Sequence, residues 1–235
     1  MCGFESHRGY IGIVYNISML TKEYLYNKGY EATEIADQIF LIEDFLSEED
    51  RLELLEVGSD ATQEDWEGAY LDNMADFCEA KFGRRDIHNL VEEGKLELTT
   101  NWNDKILRIH NLPVTQKINK SIRDLFDGID GIGSSSAVGI IQRQYEGVAL
   151  TEHVDNHTDP SLVYALVAYL NDDYEGGEVF FSKFGLSLKP KAGTLLAFPT
   201  TEQWTHGVTA VEAGPVRYVL PIFISRDDFY KDNKY

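Results

Sequence analysis

The hydrophobic pattern changes along the chain, from helical spacing in the first half to short β-type runs in the second. Residues 21–28 place apolar and aromatic side chains at helical spacing and are followed by Gly29, a common residue at a helix end. The next run, DQIFLIEDF over residues 37–45, alternates enough to predict a strand. The chain is therefore expected to open with a short helix and one early strand.

Two capping signals predict the next helices. Ser47 is followed three positions later by Asp50, and Thr62 by Asp65. A hydroxyl at a helix start with an acidic residue three positions on can satisfy backbone N–H groups that the helix itself leaves free. The helices would run through EEDRLELLEV and WEGAYLDNMADFCEAKF, the second ending near Gly83.

The segment before the β-rich half contains one ambiguous stretch and one clear helix. Residues 84–112 include LELTTNWNDKILRIHN, which suits a helix or a strand, and both alternatives stay open. Residues 113–126 begin with a proline suited to a first helical turn and place Ile118 and Ile122 on one face. The glycine-rich DGIDGIGSSS then predicts a loop between the two halves.

After Ser136 the chain consists of short runs of β-branched and aromatic residues bounded by Gly, Pro and Asp. Evenly spaced short strands with turn signals are typical of a sandwich or barrel of the jelly-roll kind. The expected fold class is mostly β with N-terminal helices (α+β), the supporting helices packing on one sheet. The expected strands lie around residues 137–145, 150–155, 162–170, 177–184, 186–189, 194–198, 205–211 and 216–224.

These patterns divide the chain into four expected segments. Because the chain has 235 residues, it can bury a full core without disulfides. The segments are a possible N-terminal extension (1–18), a helical support region with an early strand (19–133), the β-rich core (134–226) and a C-terminal tail (227–235).

Charge and cysteine content narrow the expected partners and compartment. A formal net charge of −19 argues against binding a phosphate backbone, so no nucleic-acid partner is expected. A neutral or basic partner fits better, although an acidic surface also simply favours solubility. Cys2 and Cys78 make no disulfide framework. The apolar run YIGIVYNISML is too short to span a bilayer and lacks a cleavage pattern. A cytoplasmic protein without membrane contact is therefore expected.

Three side chains of the β-rich half could bind a metal. Alternate residues of an extended strand share a face, so His153 and Asp155 would point the same way while Val154 points into the packing. His206 stands at the start of a later strand-like run. Two histidines and one carboxylate form the facial triad of non-haem Fe(II) oxygenases, which leaves coordination positions open. Arg217, in the last run, is a fixed cation whose planar fork suits a carboxylate.

Four segments of the chain together resemble a known family. They are QRQYEGVALTEHVDN, VAYLNDDYEGGEVFF, LSLKPKAGTLLAFPTTEQWTHGV and GPVRYVLPIFI, which span roughly residues 136–226. In this order and near this spacing, they resemble the Fe(II)/2-oxoglutarate-dependent dioxygenases of the prolyl 4-hydroxylase type. The resemblance implies a double-stranded β-helix core that uses Fe(II), O2 and 2-oxoglutarate as co-substrate, with ascorbate to restore iron oxidised in uncoupled turnovers.

The resemblance also implies roles for individual residues. The two histidines and the aspartate named above would be the catalytic metal ligands, and the carboxylate of Asp155 favours hydroxylation over halogenation, because related halogenases have a small residue there. Arg217 would bind the far carboxylate of 2-oxoglutarate, with Arg226 as the alternative. Tyr169 and Tyr145 align with co-substrate pocket tyrosines, although aromatic residues on strands also pack in cores.

The implied activity is hydroxylation of an unactivated C–H bond, with release of succinate and CO2. The resemblance favours a prolyl residue in a peptide or protein as the substrate. A free amino acid or another small molecule is the alternative within the enzyme class, and a catalytically silent jelly-roll binding module is the alternative outside it. Loops around residues 60–110 and 156–161 are expected to recognise the substrate.

Overall fold

The computed structural model describes residues 20–67, 106–132, 139–157, 159 and 161–226, and three helices precede the β-rich half within these ranges. Helix α1 spans Lys22–Asn27, with the Thr21 side chain accepting from the Tyr24 N–H at its start. Helix α2 spans Glu48–Asp60 and helix α3 spans Pro113–Phe126. All three lie where the sequence predicted helices.

Two antiparallel sheets face each other, and the smaller one carries most of the candidate metal site. In the described residues, the strands before position 134 are β1 (Ala32–Ala36), β2 (Ile39–Ile42), β3 (Trp66–Glu67) and β4 (Ile106–Arg108). The later strands are β5 (Ile140–Gln144), β6 (Leu150–His153), β7 (Leu162–Tyr169), β8 (Glu175–Gly176), β9 (Val179–Phe181), β10 (Leu186–Leu188), β11 (Leu195–Pro199), β12 (His206–Val208), β13 (Val211–Ala213) and β14 (Arg217–Ser225). The large sheet has the order β1-β2-β11-β7-β14-β5-β4-β3, the small sheet β10-β9-β12-β6, and β13 pairs with β8.

The space between the sheets is filled by apolar side chains from both. Tyr169, Leu196 and Val219 of the large sheet pack in one buried cluster with Val179 and Phe181 of the small sheet. The expected jelly-roll fold class is confirmed by this arrangement of short antiparallel strands.

The helices cover the outer face of the large sheet, as expected. Leu54 of α2 and Ile122 of α3 are fully buried in one cluster with Ile141 and Leu220 of the sheet. Gly58 lets α2 approach closely, because a Cβ there would lie 3.3 Å from the ring of Tyr218. Within the described residues, no helix combines the length and apolar character needed to cross a membrane.

The support region is more β-rich than its sequence suggested. Strands β1 to β4 all precede residue 134 and all belong to the large sheet. The large sheet therefore contains strands from both sides of the expected boundary between residues 133 and 134. Strand β1 was not predicted, and β4 settles part of the ambiguous stretch 84–112 as strand.

One helix prediction is wrong at its start. The capping box of Thr62 and Asp65 forms, but it caps a 3₁₀ turn, Gln63–Asp65, rather than a longer helix. Trp66 then pairs with Leu107 in the sheet and is only 4% exposed. Burial of the indole against the sheet outweighs the helical spacing that follows it. The rest of that predicted helix, from residue 68 to 82, lies outside the described residues.

The predicted strands of the core are confirmed in position, most of them with shorter bounds, whereas β11 and β14 keep the predicted length and begin one residue later. The run 150–155 ends as a strand at His153, and the run 177–184 is extended only over Val179–Phe181. The run 205–211 divides into β12 and the separate strand β13. Turns rather than longer strands fill the differences, including 3₁₀ turns at Asp155–His157 and Ser182–Phe184.

The hydroxyl of Tyr164 ties the segment before α1 to the large sheet, and removing it should destabilise the fold. Tyr164 Oη accepts from the Leu20 N–H at 2.9 Å, and both residues are almost completely buried. Tyr164→Phe leaves that N–H without its acceptor, which is expected to lower the free energy of unfolding by about 1–3 kcal/mol. Urea denaturation should show a lower midpoint at an unchanged slope. An unchanged midpoint would contradict this structural role.

Candidate active site

Three potential ligands converge where the small sheet meets the loop after β6. His153 ends β6, Asp155 begins the following 3₁₀ turn, and His206 begins β12 directly opposite His153. His153 Nε2 lies 3.5 Å from Asp155 Oδ1, and His206 Nε2 lies 3.8 Å from Asp155 Oδ2. One ligand atom from each residue lies within 4.8 Å of the others, so the three could hold one metal ion.

The route by which Asp155 reaches this point differs from the expectation. The sequence predicted that strand alternation would align Asp155 with His153 and bury Val154 on the opposite face. Instead β6 ends at His153, Val154 is only half-buried, and His157 N–H donates to Val154 O at 3.2 Å as the backbone turns. The turn, rather than the pleat, directs the carboxylate towards the histidines.

Both histidines are held in the tautomer that a metal ligand needs. His153 Nδ1 lies 2.9 Å from Thr151 O, and His206 Nδ1 lies 3.1 Å from Trp204 O. A carbonyl oxygen only accepts, so each Nδ1 carries the proton and each Nε2 presents its lone pair to the site.

The surroundings set the protonation of the two histidines differently. Burial lowers the pKa of His206 and outweighs the opposing charge of Asp155, so this imidazole is neutral and ready to coordinate. Burial also pulls the pKa of His153 down, but the hydrogen bond and charge of Asp155 outweigh it and raise that pKa overall. Phe181 and Phe198 pack against the His206 ring, with centroids 5.7 and 4.6 Å away, and shield it from water.

Arg217 faces the same cavity from the opposite sheet. It begins β14, is 4% exposed and lines the cavity together with the three candidate ligands. Its Nη1 donates to Gln144 Oε1 at 3.3 Å, whereas Nε is buried without a hydrogen-bond partner. The alternative, Arg226, lies beyond the end of β14 in a bridge with Ile132 and is not among the cavity residues.

Tyr169 also lines the cavity. It is fully buried, its hydroxyl has no hydrogen-bond partner, and the Arg217 guanidinium lies 5.2 Å from its ring centroid. Burial raises the pKa of Tyr169 to about 12 despite the opposing charge of Arg217. The hydroxyl therefore stays protonated and can donate to an acceptor in the cavity.

Tyr145, the other tyrosine assigned to the co-substrate pocket, lies away from the cavity. Tyr145 is 37% exposed and is absent from the cavity wall. Its ring lies 4.8 Å from the guanidinium of Arg143, which also stacks 3.8 Å from Trp66 on the helix-covered face of the large sheet. The alternation of β5, continued by one residue, accounts for this placement, because Arg143 and Tyr145 share one face and Gln144 takes the other.

Two residues near Arg217 were missed by the sequence reasoning. Gln144 lies directly opposite Arg217 in the strand pairing and lines the cavity. Tyr174 is 1% exposed, and the O–H of its buried hydroxyl, like that of Tyr169, has no acceptor. The alternation of side chains along the predicted strand was the available signal for Gln144, because it places Gln144 on the opposite face from Arg143. No sequence signal distinguished Tyr174 from a core aromatic residue.

The donor set fits a metal and an organic acid. Two imidazoles and one carboxylate suit Fe(II) and leave positions for a chelating ligand. On the facing sheet, the Arg217 guanidinium, whose Nε has no acceptor, and the protonated Tyr169 hydroxyl suit a carboxylate. A double-stranded β-helix with this pair of subsites is the arrangement that a non-haem iron oxygenase with an organic-acid co-substrate requires.

The family comparison agrees with this class. Residues 140–225 match the family model of the 2OG-Fe(II) oxygenase superfamily. This segment is therefore similar to the core of that superfamily, and its resemblance to prolyl 4-hydroxylases is confirmed at the level of fold.

Part of the chain is similar in sequence to curated relatives. Prolyl 3-hydroxylase 2 from Homo sapiens and from Rattus norvegicus are each 34% identical over 74 residues, which is 29% of this chain. The match spans only 10% of the length of those relatives.

Three solved structures share the fold at low identity. The viral collagen prolyl hydroxylase of Paramecium Bursaria Chlorella virus-1, in complex with 2OG, has a TM-score of 0.51 at 18% identity, covering 80% of this chain and 94% of that one. A Trichoplax adhaerens prolyl hydroxylase bound to a hypoxia inducible factor peptide has a TM-score of 0.53 at 15% identity, covering 91% and 90%. A Pseudomonas putida prolyl-4-hydroxylase has a TM-score of 0.51 at 16% identity, covering 87% and 96%.

Proposed function

We propose that this chain is an Fe(II)- and 2-oxoglutarate-dependent dioxygenase that hydroxylates an unactivated C–H bond. The observation that carries the proposal is the convergence of His153 Nε2, Asp155 and His206 Nε2 on one side of a cavity whose other side presents Arg217. In this proposal the first three residues hold Fe(II), and Arg217 with Tyr169 binds the far carboxylate of 2-oxoglutarate.

Each side chain then has a definite task. The Thr151 and Trp204 carbonyls keep both imidazoles oriented, and the aromatic packing around His206 excludes water from the metal. Arg217 and the protonated Tyr169 hydroxyl orient the co-substrate. The bound metal and co-substrate supply the oxidising chemistry, in which 2-oxoglutarate and O2 give succinate, CO2 and the hydroxylated product.

We infer that the substrate is a prolyl residue in a peptide or protein. Val167, Pro221 and Phe223 give the cavity a half-buried apolar wall, which suits an uncharged pyrrolidine ring. A proline-rich peptide is already ordered as a polyproline helix and loses little entropy when it docks on such a surface. Several similar proteins are named prolyl hydroxylases, and one was solved with a peptide, which supports the same substrate class.

A substrate panel tests this inference. The chain is incubated with Fe(II), 2-oxoglutarate and ascorbate against proline-containing peptides, free amino acids including proline, and methylated oligonucleotides. Succinate release and a mass gain of one oxygen atom are the measurements. Proline-containing peptides are expected to stimulate succinate release, and omission of ascorbate is expected to shorten the period of turnover.

The control arms separate the competing functions. Turnover with free proline or an oligonucleotide but with no peptide would contradict the peptidyl-prolyl substrate and leave the oxygenase intact. The absence of both stimulated and uncoupled turnover under every condition would favour a silent binding module.

A further inference from the structure

Tyr174 is a buried tyrosine next to Arg217 that the roles above do not use. It precedes β8, is 1% exposed and does not line the cavity. Burial raises the pKa of its hydroxyl, and the nearby charge of Arg217 opposes that rise. The hydroxyl is therefore a protonated, buried group whose oxygen can accept from the Arg217 guanidinium, while its own O–H has no acceptor.

The Tyr174 ring is held in place from two sides. Lys189 Nζ donates to Tyr174 O at 2.6 Å and lies 5.2 Å from the ring centroid. Gly177, at φ +66, leaves room for the ring and for Arg217, because a Cβ there would lie 2.9 Å from Tyr174 Cε2 and 3.1 Å from Arg217 Cδ. The Tyr174 ring and the aliphatic part of the Arg217 side chain thus both pack against the backbone of Gly177.

Gln144 constrains Arg217 from the neighbouring strand. Its Nε2 donates to Thr209 O at 3.0 Å and to Val148 O at 2.5 Å, so both amide hydrogens are used on backbone. The remaining Oε1 is thereby turned towards Arg217 Nη1. Because the Gln144 amide is fixed in this way, it holds the guanidinium plane in one orientation. It cannot move with the guanidinium if Arg217 shifts.

We propose that Tyr174 and Gln144 are positioning residues that fix the Arg217 guanidinium for the far carboxylate of 2-oxoglutarate. The inference rests on the proposed function and extends it to two residues outside the metal triad. Arginine recognises a carboxylate through two parallel N–H donors, so the orientation of its plane matters as well as its charge. Because Tyr174 does not line the cavity, it acts through Arg217.

Binding of two 2-oxo acids tests the proposal without relying on turnover. Calorimetric titrations under nitrogen use the full chain loaded with Fe(II), with 2-oxoglutarate and with 2-oxopentanoate, which replaces the far carboxylate by a methyl group. Tyr174→Phe keeps the ring and removes only the hydroxyl. It is expected to raise the Kd for 2-oxoglutarate about tenfold, the size of one hydrogen bond to a charged group, while the Kd for 2-oxopentanoate stays the same.

Matched variants distinguish positioning from general damage. Tyr164→Phe removes another buried tyrosine hydroxyl, on the helix-covered side, and should leave both Kd values unchanged. Gln144→Met should show the same selective loss as Tyr174→Phe, which keeps the proposal testable if one variant does not fold. In an Arg217→Ala background, adding Tyr174→Phe should change the Kd for 2-oxoglutarate less than about twofold, since the residue it acts through is gone.

The outcomes separate this inference from the function on which it rests. If the parent chain prefers 2-oxoglutarate but Tyr174→Phe changes neither Kd, or raises both equally, the positioning role is wrong and the proposed function stands. If the parent chain binds both acids equally, or neither, the proposed co-substrate is wrong and the positioning role falls with it.

Discussion

Replacing Asp155 with alanine should abolish Fe(II) binding and succinate formation while the fold stays intact. Asp155 supplies the one carboxylate among the three converging ligands and contacts both histidines across 3.5 and 3.8 Å. Changes to groups that merely support a metal ligand typically weaken affinity by about 10–100-fold, so loss of a ligand should exceed that. Titration of the metal-free chain with Fe(II) under nitrogen measures the loss, and circular dichroism checks the fold.

The control lies in the same loop. Asp159 accepts from the Ser161 N–H and does not line the cavity, so Asp159→Ala should retain Fe(II) binding. Parent-like turnover of 2-oxoglutarate by Asp155→Ala would show that the triad assignment is wrong.

Replacing Arg217 with alanine should sharply raise the 2-oxoglutarate concentration needed for turnover. Loss of a buried charge-assisted contact costs about 2–5 kcal/mol, which corresponds to a rise of about 30-fold to several thousand-fold in Kd. Fe(II) binding should remain, because Arg217 lies on the opposite sheet from the histidine ligands. The dependence of succinate release on 2-oxoglutarate concentration is the measurement.

Two further variants make this result specific. Arg217→Lys keeps the charge but loses the planar fork. The 2-oxoglutarate concentration that it needs for turnover should lie between those of the parent chain and Arg217→Ala. Arg108→Ala removes an exposed arginine of β4, outside the cavity, and should behave like the parent chain. If Arg217→Ala needs the same 2-oxoglutarate concentration as the parent chain, then Arg226 binds the far carboxylate or the co-substrate is a different one.

Local patterns determined the three helices that the structure describes and most of the described strands. Ser47 with its acidic partner, and the proline at the start of α3, satisfy or remove backbone donors within a few residues, so their effect needs no distant contact. The core strands were also recognisable, because β-branched and aromatic runs between turn residues are themselves local. Trp66 shows the limit of such reasoning, since its pairing with Leu107 depends on residues 41 positions away.

For the site, the sequence by itself determined the chemical types: two histidines, one carboxylate, an arginine and a strand tyrosine in a recognisable order. Tertiary structure decided which of them meet. It brought Asp155 in through a turn rather than a strand, and it placed Gln144 instead of Tyr145 opposite Arg217. It also buried Tyr174 beside that arginine. The physical reason is that side-chain direction depends on where each strand ends and on its pairing register, and a shift of one residue reverses the face.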